Sequence, residues 1–213
     1  MHELPFIAVE GPIGVGKTSL AKKIADHFQY ALLKEIVEEN PFLGKFYENI
    51  EEWSFQLEMF FLTNRYKQLN DIRKDYLSQN QPVVADYHIA KNMIFAQRTL
   101  AEPEFDKYSK IFSILTEDIA LPNMVIYLDA SLETLLERIE MRDRKAEQHI
   151  QPEYLKQLSV DYQTFMDRFE QDNPDIPVLR LSGDELDFVK NEQDWKYICD
   201  RISSHLDKGV TSS

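Results

Sequence analysis

Five short runs of apolar residues, each bounded by polar or turn residues, stand out along the chain. Their apolar residues are continuous rather than alternating, which is typical of strands that are covered on both faces of a sheet. The runs are PFIAVE (5–10), YALLKE (30–35), PVVAD (82–86), NMVIYLD (123–129) and PVLRLS (177–182). The pattern therefore predicts five buried strands.

Apolar residues recur with helical spacing in the segments between these runs. The predicted helices cover residues 16–28, 51–78, 88–99, 104–120, 131–142, 152–173 and 190–207. Strands that alternate with helices indicate βαβ units and a parallel sheet. We expect a single α/β domain over residues 1–207, with a five-stranded parallel sheet flanked by long helices, and a flexible tail at 208–213.

Composition and charge limit the possible partners. The 213 residues suit one domain, and the formal charge of −13 argues against a nucleic acid or an anionic membrane as the main partner. No apolar stretch approaches the length of a membrane span, and the N-terminus does not resemble a targeting peptide. The single cysteine, Cys199, cannot form an internal disulfide and fits a reducing cytoplasm. We expect a cytoplasmic protein whose anionic ligands, if it has any, are small.

Residues 11–18, GPIGVGKT, match the phosphate-binding pattern G-x-x-x-x-G-K-[ST] between a predicted strand and a predicted helix. The glycines let successive backbone N–H groups point at phosphate oxygens, and the helix N-terminus adds partial positive charge. Lys17 can reach the β- and γ-phosphates, and the Thr18 hydroxyl can bind Mg²⁺. The loop predicts a nucleoside triphosphate site, formed by Gly11, Gly14, Val15, Gly16, Lys17, Thr18 and Ser19.

Carboxylates follow two other predicted strands, Glu35 after the second and Asp86 after the third. Ligands of open parallel sheets bind beyond the carboxyl ends of the strands. One carboxylate could accept the proton of an attacking hydroxyl and the other could hold Mg²⁺, although each could also simply cap the following segment. Glu38 and Glu39 compete for the role of base, but their place in the next apparent helix favours a solvent-exposed face.

Three arginines form a basic cluster in this acidic chain. Arg138 and Arg142 are four residues apart and share a helix face, and Arg144 stands where the helical pattern ends. Positive charge over the γ-phosphate stabilises the transition state of phosphoryl transfer. Charged helix ends are usually solvated surface, but a locally basic cluster favours a catalytic lid over about residues 138–150.

With these motifs together, the chain resembles the deoxynucleoside kinases, in particular the bacterial deoxyguanosine and deoxyadenosine kinase branch. The matching segments are the loop at 11–18, KEIVEENPFLGKFY (34–47), EEWSFQLEMFFLTNRYKQL (51–69), RIEMRDR (138–144) and GDELDF (183–188). The resemblance implies a P-loop fold of the nucleoside-kinase type with an arginine-rich lid. It also implies transfer of a phosphoryl group from ATP, with Mg²⁺, to the 5′-hydroxyl of a deoxynucleoside, and a homodimer formed through the long helices.

The resemblance further implies residue roles. Glu35 would be the general base, with Ile36 in place of the proline of the family's E-P-V motif, and Tyr47 and Glu147 would bond the 3′-hydroxyl. The three arginines would act in catalysis, with Arg142 also binding ATP. The adenine of ATP would be held by Asp187 and Phe188. Further contacts to the deoxynucleoside are expected from Trp53, Asp86, Asn92 and Phe95.

One segment departs from the family pattern. Where relatives read D/E-R-S/T after the third strand, this chain reads Asp86-Tyr87-His88, so the arginine is missing. Lys91 or a lid arginine could compensate, and His88 could bond a phosphate, although a purely structural histidine is the alternative.

The predicted long helix carries the candidate base-recognition residues. Phe55, Glu58, Phe61, Leu62 and Arg65 share one face, which could also be a core stripe. Glu58 stands where many relatives have a base-reading glutamine. An ionised glutamate only accepts hydrogen bonds, which suits guanine N1–H and N2, whereas a mismatch with adenine costs on the order of 1–3 kcal/mol. Arg65 could orient Glu58 or bond guanine O6 and N7. Deoxyguanosine is therefore favoured, and deoxyadenosine stays open if Glu58 is protonated or bridged by water.

Two other classes of function compete with this interpretation. A nucleoside monophosphate kinase, such as a thymidylate kinase, needs cations for its anionic acceptor, and Glu35 with Tyr87 argues against it. A nucleotide-binding module without turnover has no need of Lys17, the carboxylates and the lid arginines together.

Overall fold

The structure is a computed structural model that describes residues 4–37, 40–144, 147 and 150–208, without the side chains of 207 and 208. In this part of the chain, five parallel strands form a sheet in the order β2-β3-β1-β4-β5. The strands are β1 (Phe6–Glu10), β2 (Ala31–Leu33), β3 (Val83–Ala85), β4 (Met124–Asp129) and β5 (Val178–Ser182). Each lies inside the apolar run that predicts it, and the five-stranded parallel sheet is confirmed.

Eight α-helices and one short 3-10 helix, Leu77–Gln79, connect and flank these strands within the described residues. The α-helices are α1 (Lys17–Phe28), α2 (Leu43–Glu48), α3 (Ile50–Asp75), α4 (Lys91–Thr99), α5 (Glu102–Thr116), α6 (Leu132–Arg142), α7 (Pro152–Asp172) and α8 (Glu192–Lys208). Seven agree with the predicted helices to within a few residues. Helix α2 is not among the predicted helices, because six residues are too few to show an apolar period. None of the described helices is long and apolar enough to cross a membrane.

Two layers of helices cover the sheet, because successive side chains of a strand point to opposite faces. On one face, Ile7 and Ile126 pack in a core cluster with residues of α1, α6 and α8. On the other face, Phe6 packs with residues of α3 and α5, and Val125 packs with residues of α4 and α7. All five residues of β1 are buried, as a strand with neighbours on both edges and helices on both faces requires.

The strand order brings the candidate residues together. Because β1 is central and β3 and β2 follow it on one side, the segments after these three strands leave the same edge of the sheet next to one another. Those segments carry the loop at 11–18, Asp86 and Glu35. Glu38, Glu39 and residues 209–213 lie outside the described residues, so the exposed face and the flexible tail stay predictions.

Candidate active site

A large cavity lies beyond the carboxyl ends of the strands. It has a volume of about 1480 Å³ and is lined by the loop at 11–18, the end of β2, α2, α3, α6 and residues 183–191. Sites for a single small molecule usually measure about 300–1,000 Å³. The cavity can therefore take two ligands side by side, one of them at the phosphate-binding loop.

The phosphate-binding loop has the backbone that its glycines permit. Gly11 and Gly14 have φ angles of 150° and 87°, and a Cβ on Gly11 would lie 2.1 Å from the carbonyl oxygen of Leu128. The Lys17 ammonium group donates hydrogen bonds to the carbonyls of Gly11 (2.7 Å) and Pro12 (2.9 Å). Burial, assisted by the nearby Lys91, lowers the pKa of Lys17 to about 8. The charge of Lys17 is therefore poorly solvated, and a bound anion such as a phosphate would stabilise it.

Asp86 joins three segments at the sheet edge. Its Oδ2 accepts a hydrogen bond from the Thr18 hydroxyl at 2.6 Å, and its Oδ1 accepts one from the backbone N–H of Glu35 at 2.7 Å. A hydroxyl and a carboxylate are the hard oxygen ligands that Mg²⁺ takes when phosphates supply further ligands. Thr18 and Asp86 together therefore fit the magnesium ion that the sequence predicts for them.

Glu35 lies between two cations. Arg65 donates to Oε1 through Nε (3.0 Å) and also through Nη2, and the Lys91 ammonium group is 3.1 Å from each carboxylate oxygen. Burial alone would raise the pKa of Glu35, but Lys91 and Arg65 outweigh it and hold the pKa well below its ordinary value. Glu35 is therefore ionised at neutral pH, and Lys91 stands beside it in the segment that lacks the family's arginine.

Arg65 has partners that the sequence did not indicate. Besides Glu35, it donates to Oδ1 of Asn92 at 2.7 Å, and the Asn92 amide donates to the Tyr108 hydroxyl at 2.8 Å. No hydrogen bond joins Arg65 to Glu58 among the described residues, although the charge of Arg65 acts on Glu58, so both roles suggested for Arg65 stay predictions. Asn92 is fully buried and does not line the cavity. It therefore supports the position of Arg65 instead of contacting a ligand.

Glu58 lies on the cavity wall and is 1% exposed. Thr99 Oγ1 approaches its Oε1 at 3.4 Å. Burial raises the pKa of Glu58 to about 8, although Arg65 and Lys91 partly oppose this rise. Burial therefore favours the protonated carboxyl group near neutral pH, which is the form that keeps deoxyadenosine open as the acceptor. Phe61 and Phe95 also line the cavity, and their contact with the deoxynucleoside stays a prediction.

The predicted sugar-binding residues are divided by the structure. Tyr47 and Glu147 both line the cavity, whereas Trp53 does not. The Trp53 ring instead stacks on Phe42, with the ring centroids 6.0 Å apart, and Lys45 lies over it at 4.3 Å. Trp53 thus stabilises the corner between α2 and α3, from which Tyr47 reaches the cavity.

The three arginines differ in their partners. Arg138 donates to the carbonyls of Val15 (2.9 Å) and Gly183 (2.7 Å), so it joins two cavity-lining segments. Arg142 and Arg144 both bind the buried carboxylate of Glu147, the latter at 3.5 Å. All three line the cavity, but residues 145, 146, 148 and 149 lie outside the described residues, so the lid at 138–150 stays a prediction.

Asp187 and Phe188 lie in the cavity-lining loop 183–191, next to the phosphate-binding loop. The Phe188 ring comes within 3.5 Å of the position that a Cβ on Gly16 would take. The Asp187 carboxylate accepts hydrogen bonds from the backbone N–H groups of Val189 (3.1 Å) and Lys190 (3.0 Å). The two residues predicted to hold adenine therefore stand beside the predicted phosphate site.

His88 is structural. Its Nδ1 accepts a hydrogen bond from the backbone of Ala90 at 3.0 Å, and its ring packs edge-on against Phe169. Burial lowers its pKa to about 4, so the imidazole is neutral, and it does not line the cavity. Tyr87, in the place of the family's arginine, is buried and donates to the Gln68 amide oxygen at 3.1 Å.

Glu10 is a supporting residue that the sequence reasoning missed. Its carboxylate accepts hydrogen bonds from the backbone N–H groups of Gly11 (3.1 Å) and His88 (2.8 Å) and from the Tyr162 hydroxyl (3.2 Å). It therefore ties the start of the phosphate-binding loop to the segment after β3. The sequence does contain a signal for Glu10, because it is a carboxylate at the end of a buried strand, as are Glu35 and Asp86.

Comparison with known proteins agrees with this geometry. The family model for deoxynucleoside kinases matches residues 7–207. The chain is 51% identical over 206 residues to a deoxyguanosine kinase of Bacillus subtilis, covering 97% of this chain and 98% of that protein. It is 30% identical over 210 residues to a deoxyadenosine/deoxycytidine kinase of the same organism, covering 95% of each chain. A solved structure of deoxyadenosine kinase from M. mycoides with bound dATP is similar at a TM-score of 0.79 and 25% identity, covering 93% of this chain and 99% of that chain.

Proposed function

Because the chain belongs to the deoxynucleoside kinase family, we propose that it transfers the γ-phosphate of ATP to the 5′-hydroxyl of deoxyguanosine, which yields dGMP. The observation that carries this proposal is the ionised Glu35 at the end of β2, within the same cavity as the phosphate-binding loop. A carboxylate there suits a neutral hydroxyl as the acceptor.

The two oxygens of Glu35 are not equivalent, and this points to the one that receives the proton. Oε1 accepts from both Arg65 nitrogens and from Lys91, whereas Oε2 accepts from Lys91 alone. Oε2 therefore has room for the 5′-hydroxyl of the acceptor. Phosphoryl transfer through a loose transition state asks little of the nucleophile, so a carboxylate of low pKa is a sufficient base.

Cations on the donor side would stabilise the charge that develops on the transferred group. Lys17 lies in the loop that would hold the phosphates, and Arg142 and Arg144 stand on the cavity wall, where they would exchange Glu147 for phosphate oxygens. Mg²⁺, held by Thr18 and Asp86, would neutralise phosphate charge. Tyr47 and Glu147 would bond the 3′-hydroxyl, as the family resemblance implies.

The preference for guanine rests on Glu58. A protonated carboxyl group donates one hydrogen bond and accepts another, which matches guanine O6 and N1–H as well as adenine N1 and N6–H₂. An ionised carboxylate matches only the paired N1–H and N2 donors of guanine. Guanine therefore suits both forms of Glu58 and adenine suits one, and the 51% identity to a deoxyguanosine kinase supports the same choice. Deoxyadenosine is the second candidate, because burial favours the protonated form.

Three finer points belong to this proposal. The binding of Mg²⁺ is supported by the paired oxygen ligands Thr18 and Asp86. Assembly as a homodimer through the long helices is supported by the family resemblance, and a cytoplasmic location by the single cysteine. Light scattering of the purified chain would test the dimer, which requires about twice the 25.1 kDa of one chain.

A coupled assay with ATP tests the proposed function. Initial rates are compared for deoxyguanosine, deoxyadenosine, deoxycytidine, thymidine and dTMP. The proposal requires the highest kcat/KM for deoxyguanosine. Phosphorylation of dTMP alone would show a nucleoside monophosphate kinase instead.

A further inference from the structure

The loop 183–191 is held by two cations from different helices. Arg138, on α6, donates to the carbonyl of Gly183 at 2.7 Å, and Lys23, on α1, donates to the carbonyl of Phe188 at 2.5 Å. The two bonds lie five residues apart in the loop. Bonds from a charged donor are stronger than bonds between neutral groups, so each fixes the backbone position of the carbonyl that accepts it.

Lys23 is itself held in place by an aromatic residue. Its ammonium group lies over the ring of Trp195, on α8, at 4.8 Å from the ring centroid. His27 packs edge-on against the same ring at 5.4 Å. Lys23 is only half-buried, but the ring and the carbonyl together select one position for a flexible side chain.

Helix α1 connects this contact to the phosphate site. The helix begins at Lys17 and Thr18, which face the predicted phosphates and Mg²⁺, and Lys23 follows Lys17 by six residues, a rise of about 9 Å along the helix. A movement of α1 would therefore shift Lys17, Thr18 and Phe188 together. Phe188 is 4% exposed and lies against the phosphate-binding loop, so its position sets the space beside that loop.

We propose that Lys23 is a positioning residue for the phosphate donor, which fixes the loop of Phe188 relative to the phosphate-binding loop so that the base and the phosphates of ATP bind at one preset spacing. The proposal rests on the proposed function in one respect, namely that the nucleotide base lies against residues 183–191. Lys23 contacts Phe188 and Trp195 rather than the donor, and it acts through the loop.

The substitution Lys23→Met tests the proposal, because methionine keeps the apolar contact with Trp195 and removes the charged donor. Lys22→Met is the matched control, since Lys22 is the exposed neighbour on the same helix. Binding of ATP and of inorganic tripolyphosphate is measured by calorimetry, together with the KM values for ATP and deoxyguanosine. Circular dichroism and thermal melting show that each variant is folded.

The expected result is a selective loss of base binding. Lys23→Met weakens ATP binding about five- to twentyfold, which is less than the full worth of a hydrogen bond from a charged donor because Lys23 is only half-buried and acts through the loop. In Lys23→Met, the affinity for tripolyphosphate and the KM for deoxyguanosine change less than about twofold. Lys22→Met binds all ligands as the wild type does. Lys23→Arg recovers most of the ATP affinity, because a guanidinium group can donate to the carbonyl and stack on the indole.

Two outcomes would overturn the proposal. Unchanged ATP affinity in Lys23→Met shows that the loop keeps its position without the lysine. Equal losses for ATP and tripolyphosphate show that the substitution disturbs the phosphate-binding loop as a whole. A failure of the proposed function is seen separately, since the wild type would then phosphorylate no deoxynucleoside, whereas the binding measurements need no turnover.

Discussion

Arg65 and Lys91 hold the carboxylate of Glu35 unequally. Arg65 places two hydrogen bonds on Oε1, whereas Lys91 is 3.1 Å from both oxygens. All three side chains are largely enclosed, with Arg65 and Lys91 4% and 5% exposed. Lys91 is therefore the one cation that contacts Oε2 among the described residues, whereas Oε1 is held by both cations.

Lys91→Met should lower kcat more than it changes the KM for the deoxynucleoside. Loss of the contact lets Oε2 leave its position, and misplacement of a reacting group by about 1 Å costs on the order of a hundredfold in rate. Lys91→Arg should keep more of the activity, because it retains a cation at the carboxylate. Steady-state kinetics with saturating ATP measure both. A kcat in Lys91→Met within about twofold of the wild type would contradict this role.

The choice between guanine and adenine should depend on pH through Glu58. As pH rises through about 8, Glu58 loses its proton and can no longer donate to adenine N1, while it still accepts from guanine. The ratio of kcat/KM for deoxyguanosine to that for deoxyadenosine should therefore increase with pH. It is measured from roughly pH 6.5 to roughly pH 9, a range that includes the pKa of Glu58. Enzyme groups that act equally on both substrates cancel in the ratio.

Glu58→Gln is the control for that measurement. Glutamine keeps one donor and one acceptor at every pH, so its ratio should stay constant. The charged and titratable groups that act on Glu58, namely Arg65, Lys91 and Glu35, are unchanged in the variant. An equal pH dependence in wild type and variant would place the titrating group elsewhere.

Glu58 should also make the folded protein less stable as pH rises. Its pKa is raised from 4.5 to about 8 by burial, so between these values the folded state binds more protons than the unfolded state. The free energy of unfolding contributed by this group therefore falls with increasing pH through that interval. Urea unfolding at pH 6 and pH 9 should show a fall that is about 1–3 kcal/mol smaller in Glu58→Gln than in the wild type. Parallel falls in the two proteins would argue that Glu58 is not the cause.

The sequence predicts best the features that follow from local patterns, namely the buried strands and the residues at their carboxyl ends. Continuous apolar runs indicate buried parallel strands, and the carboxyl ends of such strands meet at one edge, which is why Lys17, Glu35 and Asp86 converge as expected. The glycines of the phosphate-binding loop also predict its conformation well, because other residues adopt their positive φ angles only with strain.

The elements that escaped the sequence depend on contacts between distant segments. Arg65 and Glu35 are 30 residues apart, and nothing in the pattern of α3 shows that Arg65 faces Glu35 rather than Glu58. The protonation of Glu58 follows from its burial, which no single residue type reveals. Lys23 reads as one of many lysines on an exposed helix face, because its partner carbonyl at Phe188 lies 165 residues away.

The most direct test of the central claim is the rate of phosphoryl transfer from ATP to deoxyguanosine in the wild type and in Glu35→Gln, measured in a single turnover with identification of the product. The wild type should form dGMP, and Glu35→Gln should form it about 10²- to 10⁴-fold more slowly, with ATP binding unchanged. Glu51→Gln, at an exposed position on α3, serves as the control and should match the wild type. A rate in Glu35→Gln close to that of the wild type, or a wild type that makes no dGMP, would contradict the account.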